Sequence, residues 1–287
     1  MPELPEAETV ARTIYPHIRG CFIKDAHLFR EKTLHALSLP LADLRGLSIK
    51  GTRRRGKLIL IDLEAGDAAN KPALPEFLVF HLRMTGRLVA RDAQVEPTKH
   101  TRCLFELTRP DGSPARLFFD DARAFGQIFA ASGALLASWD FWKNLGPEPL
   151  EMAPDDLAPR LATGRPIKTA LLDQQVLAGI GNIYADESLY KAGIHPLRPA
   201  SSLTAEESRR LLKSIQAILT LSISQCGSSI RDYVDANGNA GAFQNSFAVY
   251  GRGGKKCKKC GSQLEKIRLG GRATVFCPQC QQLAANP

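Results

Sequence analysis

The chain has 287 residues, of which 44% are hydrophobic, and it carries a formal net charge of +9. This length and composition predict two ordinary cores with a smaller unit attached. No apolar run is long enough to span a membrane and no basic-then-apolar leader opens the chain, so we expect neither a membrane protein nor a secreted one. In a reducing cytosol Cys21, Cys103 and Cys226 would be free thiols.

The chain opens with Met1-Pro2-Glu3-Leu4-Pro5-Glu6, which places a proline directly after the initiator methionine. Removal of Met1 would expose a secondary amine. An N-terminal amine titrates near pKa ~7.7–8.0, so part of it is unprotonated and nucleophilic at neutral pH. Glu3 is close enough to act as general acid or base for that amine. The alternative is structural, because prolines and acidic residues also suit the first turn of a helix.

Periodicity predicts a short amphipathic helix over residues 5–18, which ends at Gly20. Short β-favouring runs follow it and indicate a β-sandwich or barrel-like first domain that ends near Gly146-Pro147. These runs are residues 57–62, 77–81, 102–106 and 116–120.

After Pro154 the pattern becomes helical. Residues 167–178, the turn at residues 179–182 and residues 183–191 predict a helix, a tight glycine turn and a second helix. Asn182 stands at the predicted N-cap, where backbone N–H groups can bind an anion, although capping alone would also explain it. Thr204 and Glu207 form a capping-box pattern ahead of another helix, whose apolar face we interpret as core packing.

Two C-x2-C pairs, Cys257/Cys260 and Cys277/Cys280, are separated by 16 residues, which is the spacing of a four-cysteine zinc site. Between the pairs, Gly270-Gly271 can form a two-residue hairpin turn, so the segment predicts a zinc-held β-ribbon. Four thiolates leave no open position for water. We therefore expect one Zn²⁺ ion with a structural role.

Positive charge is concentrated at the end of the chain. Residues 251–287 contain eight basic residues and one acidic residue. A zinc ion with four thiolates would subtract two charges, which leaves a net charge of about +5 on the ribbon. A charge run is more often only a solvated face, but one built onto a rigid ribbon is typical of a surface that binds nucleic-acid phosphates.

Three separated motifs resemble those of the formamidopyrimidine-DNA glycosylases, bifunctional enzymes that remove oxidised purines from DNA. They are Pro2-Glu3-Leu4-Pro5-Glu6, the helix–two-turn–helix element at residues 179–185 and the paired cysteines. The likeness covers nearly the whole chain. It implies an α+β multidomain fold with an N-terminal β-sandwich and leading helix (residues 1–147), a helical helix–two-turn–helix domain (148–245) and a C-terminal zinc β-ribbon (246–287).

The resemblance also implies a reaction. Pro2 would be the Schiff-base nucleophile that attacks C1′ of the damaged nucleoside, and Glu3 the acid/base that helps to open the sugar. Lys57 matches a lysine assigned to proton transfer and phosphate contact. Arg272 matches a finger arginine that grips phosphate at the lesion and is implicated in the later elimination. Base excision would be followed by β- and δ-elimination, which require no redox or nucleotide cofactor.

Three further positions match residues that fill the gap left when a base is flipped out of the duplex. They are Met84, Arg123 and Phe125, which we call the wedge residues. An apolar wedge and an arginine facing the orphaned partner base can offset the cost of unstacking. On sequence alone Met84 and Phe125 would be core residues.

By the same resemblance His100 and Asn182 would contact the DNA backbone, and Lys168 would lie near the lesion's phosphates. The sequence also departs from the family pattern. Ala124 stands where many members have a second arginine, and Cys226 stands where glycine is common, at the start of a segment like the loop that covers the flipped base. An extra loop at residues 66–75 has no assigned role.

The implied protein is a monomeric, cytoplasmic enzyme of bacterial type, associated with the nucleoid, that binds damaged double-stranded DNA between its β-rich and helical parts. Two alternatives stay open. One is an endonuclease VIII-like glycosylase, which prefers oxidised pyrimidines; Leu4 together with the wedge residues favours the purine enzyme. The other is a non-catalytic zinc-ribbon DNA-binding protein, which would leave Pro2, Glu3 and Lys57 unexplained.

Overall fold

The computed structural model describes residues 2–65, 74–230 and 233–283. The extra loop at residues 66–75 lies outside these ranges except for its last two residues. The internal contacts divide the chain into unit 1, Met1–Asn144 with Cys226–Gly241, and unit 2, Leu145–Gln225 with Ala242–Pro287. In the described ranges no helix is both long enough and apolar enough to cross a membrane.

Unit 1 opens with helix α1, Leu4–Ile18, which confirms the helix expected from periodicity. Among the described residues of unit 1 eight strands follow, and neighbouring strands pair antiparallel in the order β5-β7-β6-β1-β2-β3-β4-β8. The strands are β1 (Phe22–Leu28), β2 (Leu47–Arg55), β3 (Leu58–Ala65), β4 (Phe77–His81), β5 (Gly86–Asp92), β6 (Thr101–Thr108), β7 (Pro114–Asp121) and β8 (Gln127–Ala131).

The sheet folds back on itself to form the expected β-sandwich. Phe80 on β4 packs against Phe105 on β6 and Phe119 on β7, with ring centroids 6.0 Å and 5.6 Å apart, although these strands are not neighbours in the sheet. The core between the layers also receives Val10 and Ile14 from α1. Helices α2 (Gly133–Ser138) and α3 (Asp140–Lys143) follow β8.

Four strands, β1, β2, β5 and β8, were not predicted from the sequence. β1 and β2 each contain a bulge, between Ile23 and Asp25 and between Ile49 and Gly51. A bulge shifts the inward–outward alternation by one residue, which removes the period of two on which strand prediction depends. The outward positions of β2 are also rich in arginine and lysine.

The described part of unit 2 contains three α-helices, which are α4 (Ile167–Leu172), α5 (Asn182–Ala192) and α6 (Ala205–Ser224). The capping box of α6 is confirmed, because Thr204 N donates to Glu207 Oε2 at 2.9 Å and Glu207 N donates to Thr204 Oγ1 at 3.2 Å. The expected apolar face of α6 is buried as well, through Leu211, Ile215 and Leu219.

The helix predicted over residues 167–178 is wrong beyond Leu172. The side chain of Gln174 accepts a hydrogen bond from Gly179 N at 2.9 Å and donates to Ile180 O at 2.8 Å. These bonds satisfy main-chain groups that a continuing helix would otherwise pair, so the chain turns instead. Asn182 is the first residue of α5, and Gly181 is the N-cap, one position earlier than expected.

The ribbon consists of β9 (Glu265–Leu269) and β10 (Arg272–Phe276), which pair antiparallel. The turn between them is formed by Gly270 and Gly271, with φ angles of 53° and 75°. Both angles lie in the left-handed region that favours glycine, so the expected two-residue hairpin is confirmed.

Candidate active site and metal centre

The N-terminal motif lies at the first turn of α1. Pro2 is buried, and Glu3, which is 2% exposed, occupies the N-cap position with an extended backbone. The main-chain N–H of Glu3 donates to Glu6 Oε2 at 2.8 Å, which fixes the direction in which the chain enters the helix. A buried carboxyl next to the predicted nucleophilic residue is well placed for proton transfer.

Glu6 ties the segment Cys226–Gly241 to α1. Its Oε1 accepts hydrogen bonds from Ser228 N at 2.8 Å and from Ser228 Oγ at 3.1 Å. Gly227 has a φ of 78°, and a Cβ there would lie 3.0 Å from Glu6 Cγ. Residues 226–241 therefore belong to unit 1, whereas the sequence division placed them in the helical domain 148–245. The sequence offered Glu6 only as a member of the N-terminal motif.

Lys57 lies at the tip of the hairpin that joins β2 to β3. Arg55 pairs with Leu58, so Gly56 and Lys57 form the turn, and Gly56 has a φ of 57°. The preceding Arg54 is held by Glu8 of α1, with Nε 2.8 Å from Glu8 Oε2. This ion pair connects the Lys57 hairpin to the same helix that begins beside Pro2.

The wedge residues lie on two loops of unit 1. Met84 lies between β4 and β5, and Arg123 and Phe125 lie between β7 and β8. Met84 is 40% exposed and Phe125 is 53% exposed, so neither is the core residue that their apolar character alone suggested. The Arg123 guanidinium lies 5.0 Å from the Phe125 ring centroid, a distance typical of a cation–π contact.

Both wedge loops contain a non-glycine residue in the left-handed region. Arg83, directly before Met84, has a φ of 52°, and Ala124, between the other two wedge residues, has a φ of 54°. The same conformation occurs at Cys226, with a φ of 58°. Such residues persist only where the surroundings hold them, and they concentrate at functional sites. The departures noted at Ala124 and Cys226 thus fall on backbone positions that favour glycine.

His100 lies beside the wedge in a cationic cavity of about 440 Å³. Arg87 and Arg91 of β5 line this cavity together with His100 and Arg123. Arg87 and Arg91 were not predicted as site residues, because the sequence did not predict β5 and its alternation. Asp120 also lines the cavity and pairs with Arg91, whose Nη2 lies 2.7 Å from Asp120 Oδ2. The lining keeps an excess of positive charge through Arg87 and Arg123, which suits a phosphate backbone.

Lys168 does not have the position expected of a phosphate contact. Its side chain is fully buried, and Nζ lies 2.7 Å from Asp186 Oδ1, 2.7 Å from Thr274 Oγ1 and 3.0 Å from Ala273 O. The ammonium group is thus already occupied by partners within unit 2. Burial raises the pKa of Asp186 to about 6, against the opposing effect of Lys168. The pair fastens α4 and α5 to strand β10.

Replacing Lys168 with alanine is expected to destabilise unit 2 by about 3–5 kcal/mol, because it leaves the Asp186 carboxylate buried without its cation. The loss would be measured by chemical unfolding followed by far-ultraviolet circular dichroism, to which helices α5 and α6 of unit 2 contribute. Lys213→Ala, at an exposed position of α6, is the matched control and should change stability by less than about 0.5 kcal/mol. Equal stability of the two variants would contradict the role of the buried pair.

Arg272 begins β10 at the exposed tip of the ribbon. The next residue is held from two sides, because Ala273 O accepts from Lys168 Nζ and from Asn182 Nδ2, each at 3.0 Å. Asn182 Oδ1 is buried without a hydrogen-bond partner among the described residues. Unit 2 therefore brings Lys168, Asn182 and Arg272 into one region, and the first two hold the strand that presents the third.

The four predicted zinc ligands form one cluster in unit 2, with all Sγ atoms within 4.8 Å of one another. The Sγ atoms of Cys260 and Cys277 are 3.4 Å apart, and those of Cys257 and Cys280 are 4.0 Å apart. Tetrahedral Zn–S bonds of about 2.3 Å place thiolates roughly 3.8 Å apart, so the cluster fits one zinc ion. The Tyr190 hydroxyl donates to Cys257 Sγ at 3.2 Å and supports the thiolate from outside.

Known protein families match successive parts of the chain. The N-terminal domain of formamidopyrimidine-DNA glycosylase matches residues 1–128, the H2TH domain of that enzyme matches residues 145–234, and a zinc finger found in FPG and IleRS matches residues 254–283. A formamidopyrimidine-DNA glycosylase of Desulfitobacterium hafniense is 43% identical over 98% of this chain and 100% of its own length. The chain belongs to the formamidopyrimidine-DNA glycosylase family.

Another family member, from Nitratidesulfovibrio vulgaris, is 54% identical over 206 residues, which cover 71% of this chain and 55% of that relative. Solved structures of FPG proteins are also similar to this chain. A mutant FPG of Lactococcus lactis, in complex with a DNA that contains Fapy-dG, superposes with a TM-score of 0.86 at 33% identity, covering 98% of this chain and all of that one. The MutM (FPG) protein of Thermus thermophilus gives a TM-score of 0.83 at 38% identity, with 98% of each chain covered.

Family membership identifies the cysteine cluster as a zinc finger with a single structural zinc. The coordination shell is complete with four thiolates, so the ion holds the ribbon together and takes no part in bond making. Membership of the formamidopyrimidine-DNA glycosylase family also makes this chain a DNA-binding protein, in agreement with the basic ribbon.

Proposed function

We propose that this protein excises oxidised purines, 8-oxoguanine and formamidopyrimidines, from duplex DNA and then cleaves the abasic strand, acting as a monomer at the bacterial nucleoid. The observation that carries the proposal is the buried Pro2-Glu3 pair at the start of α1, in a chain that belongs to a family of glycosylases. The pair supplies an amine and a carboxyl at adjacent positions, which a protein that only binds DNA does not need.

The chemistry begins with the secondary amine of Pro2, after Met1 has been removed. Its lone pair forms a bond to C1′ while the C1′–N bond to the damaged base breaks, and the base leaves with the proton that the amine nitrogen gives up. Glu3 donates a proton to O4′ of the sugar, the C1′–O4′ bond breaks as the ring opens, and the nitrogen lone pair forms the C=N bond of an iminium. The resulting iminium acidifies the C2′–H bond. Loss of that proton expels the 3′ phosphate, and a second elimination expels the 5′ phosphate, so the strand is cut on both sides of the sugar. We assign proton transfer and phosphate contact to Lys57, and phosphate contact during elimination to Arg272.

The wedge residues lower the cost of flipping the damaged base. Extruding a base costs a few kcal/mol of unstacking, which apolar side chains inserted into the stack can offset. The exposure of Met84 and Phe125 supports this role, because large apolar side chains left exposed on adjacent loops are typical of an interaction surface. Arg123, held over Phe125, would face the unpaired base.

Phosphate binding is divided between the two units. We assign His100 and the neighbouring arginines of unit 1 to the DNA backbone. Asn182 is assigned to phosphate at the N-terminus of α5, where main-chain N–H groups favour an anion. Lys168 acts indirectly, by holding the strand that carries Arg272.

Two duplexes that differ only in the lesion test the proposal, one with 8-oxoguanine opposite cytosine and one with thymine glycol opposite adenine. The protein is expected to process the first with a kcat/KM roughly tenfold or more above the second, and to leave phosphate at both ends of the gap. A preference for the oxidised pyrimidine would favour the endonuclease VIII-like alternative. Binding without cleavage of either duplex would favour a non-catalytic zinc-ribbon protein.

Arg123→Ala is expected to lower the ratio of excision rates opposite cytosine and opposite adenine by about tenfold, because a bidentate arginine–base contact discriminates by about 1–3 kcal/mol. Single-turnover excision with the two partner bases measures the ratio. Arg123→Lys is the matched control for charge, and it should recover binding but not discrimination. If Arg123→Ala weakens binding and leaves the ratio unchanged, Arg123 is only a phosphate contact.

A further inference from the structure

A single buried carboxylate joins the two wedge loops. Asp121, the last residue of β7, is 1% exposed. Its Oδ1 accepts a short hydrogen bond from the hydroxyl of Thr85, the residue after Met84. The same oxygen accepts from Arg123 N at 3.2 Å, and Oδ2 accepts from Gly126 N at 2.7 Å. The carboxylate therefore binds the Thr85 hydroxyl beside Met84, and it binds the main-chain N–H groups of Arg123 and Gly126, which lie on either side of Phe125.

Further bonds close this arrangement into a network. Thr85 Oγ1 accepts from Arg123 N at 3.1 Å, so the two loops are also joined directly. The main chain of Asp121 fixes His100 and the start of β6, because Asp121 N donates to His100 O at 2.8 Å and Arg102 Nε donates to Asp121 O at 2.7 Å. Side chain and main chain of one residue thus connect the two wedge loops with the segment that carries His100.

The two wedge loops hold backbone conformations that need restraint. Arg83 and Ala124 hold positive φ angles, a conformation that non-glycine residues keep only under constraint. Gly126 approaches so closely that a Cβ there would lie 2.6 Å from Phe119 Cζ. This close approach brings Gly126 N within hydrogen-bond distance of the carboxylate. Without the Asp121 carboxylate, the loops would keep their apolar exposed tips but lose its bonds to both of them, which leaves only the Arg123 N–Thr85 Oγ1 bond of this network between them.

We propose that Asp121 is a positioning residue that holds Met84, Arg123 and Phe125 in one rigid arrangement before DNA binds, and that it thereby sets the choice of partner base. The proposal rests on the proposed wedge function. A wedge that is already ordered loses little conformational freedom on binding, and side chains held at a fixed spacing discriminate partner bases more sharply than mobile ones.

Asp121→Asn tests the proposal with almost no change in size. The asparagine amide has one acceptor oxygen where the carboxylate has two, and its NH₂ group can only donate. The three donors from Thr85, Arg123 and Gly126 therefore cannot all keep their hydrogen bonds to this side chain. In single-turnover assays the cytosine-to-adenine ratio is expected to fall about tenfold. Borohydride trapping on a single-stranded abasic oligonucleotide, which has no partner strand, should stay within about twofold because the nucleophile is untouched.

Hydrogen exchange of the DNA-free protein gives a readout that is independent of the reaction. The amides of Arg123 and Gly126 donate to Asp121, so their exchange should accelerate by about tenfold or more in Asp121→Asn. Asp25→Asn is the control, since Asp25 also binds an arginine and a main-chain N–H but lies on β1, away from the wedge. It should change neither the ratio nor the exchange of these amides.

Thr85→Val provides a second test if Asp121→Asn does not fold. It removes only the hydroxyl that bonds to Asp121 and Arg123, and its partner-base ratio should fall by about threefold or more. An unchanged ratio in the folded variants, with unchanged exchange at Arg123 and Gly126, would overturn the positioning role. Failure of the proposed function would be seen separately, because the unmodified protein would then show no lesion excision in the same assay.

Discussion

Protein that retains Met1, or that carries a tag ahead of Pro2, is expected to bind lesion DNA and yet to form no covalent adduct and no strand break. The reason is chemical: an amide nitrogen is not nucleophilic, so it cannot form the iminium on which both eliminations depend. The expected loss of cleavage is roughly a thousandfold or more, as when the nucleophile of a covalent enzyme is removed. Binding should persist, because the basic ribbon, the α5 N-terminus and the wedge are unchanged.

Two assays on the same preparations give the result: fluorescence anisotropy with a lesion duplex, and borohydride trapping resolved on a denaturing gel. Processed protein, with Pro2 at its N-terminus, is the positive control. Full excision and trapping by the blocked protein would remove Pro2 from the mechanism and move attention to Lys57 as the amine.

Glu3→Gln separates the acid/base role from the nucleophile. The amine survives in this variant, so activity on pre-formed abasic sites should outlast excision of an intact damaged base, where a proton is most needed. We expect base excision to fall by about 10²–10⁴-fold, the usual contribution of general acid–base catalysis, with a much smaller change at abasic sites. Equal losses on both substrates would indicate that Glu3 matters for the fold of α1 and not for proton transfer.

The second large effect is expected from Cys277→Ser, which should lose zinc and DNA affinity together. Cys277 is fully buried in a small cluster with Val249, Leu264 and Val275, which is too few apolar residues to fold the ribbon without metal. Loss of the ribbon removes Arg272 and much of the positive charge, so affinity at moderate salt should fall on the order of a hundredfold, with a shallower salt dependence.

Metal analysis and anisotropy titrations at several salt concentrations measure this effect. Cys226→Ser is the control for zinc content, because Cys226 is exposed and lies outside the cluster. Tight lesion binding by metal-free Cys277→Ser protein would contradict a ribbon that depends on zinc.

Local sequence patterns were sufficient to predict much of the fold. The capping box at Thr204, the hairpin glycines and the cysteine spacing each determine their structure within a few residues, and each is confirmed. The β-sandwich was predicted from four strands, although four others were missed, two of them where bulges interrupt the alternation. The helix expected beyond Leu172 failed because the Gln174 side chain, which has no distinctive sequence signal, replaces main-chain partners.

The details of the candidate site depended on tertiary contacts that no local pattern records. Nothing in the sequence distinguishes Lys168 from the other lysines. Its buried partners Asp186 and Thr274 lie on α5 and β10, far from it along the chain. Asp121 likewise stands in a strand and gives no sign that Thr85, 36 positions earlier, will bind it. Glu6 and Ser228 are 222 positions apart. Hydrogen bonds between residues so far apart along the chain form only in the folded protein, so the spacing of residues in the sequence does not predict them.

Identifying the residue that becomes attached to DNA tests directly whether Pro2 is the nucleophile. Processed protein would be trapped with borohydride on a duplex containing 8-oxoguanine, digested with a protease and analysed by tandem mass spectrometry. We expect the reduced sugar adduct on the N-terminal peptide, at the nitrogen of Pro2. An adduct on Lys57, or on any other lysine, would contradict it.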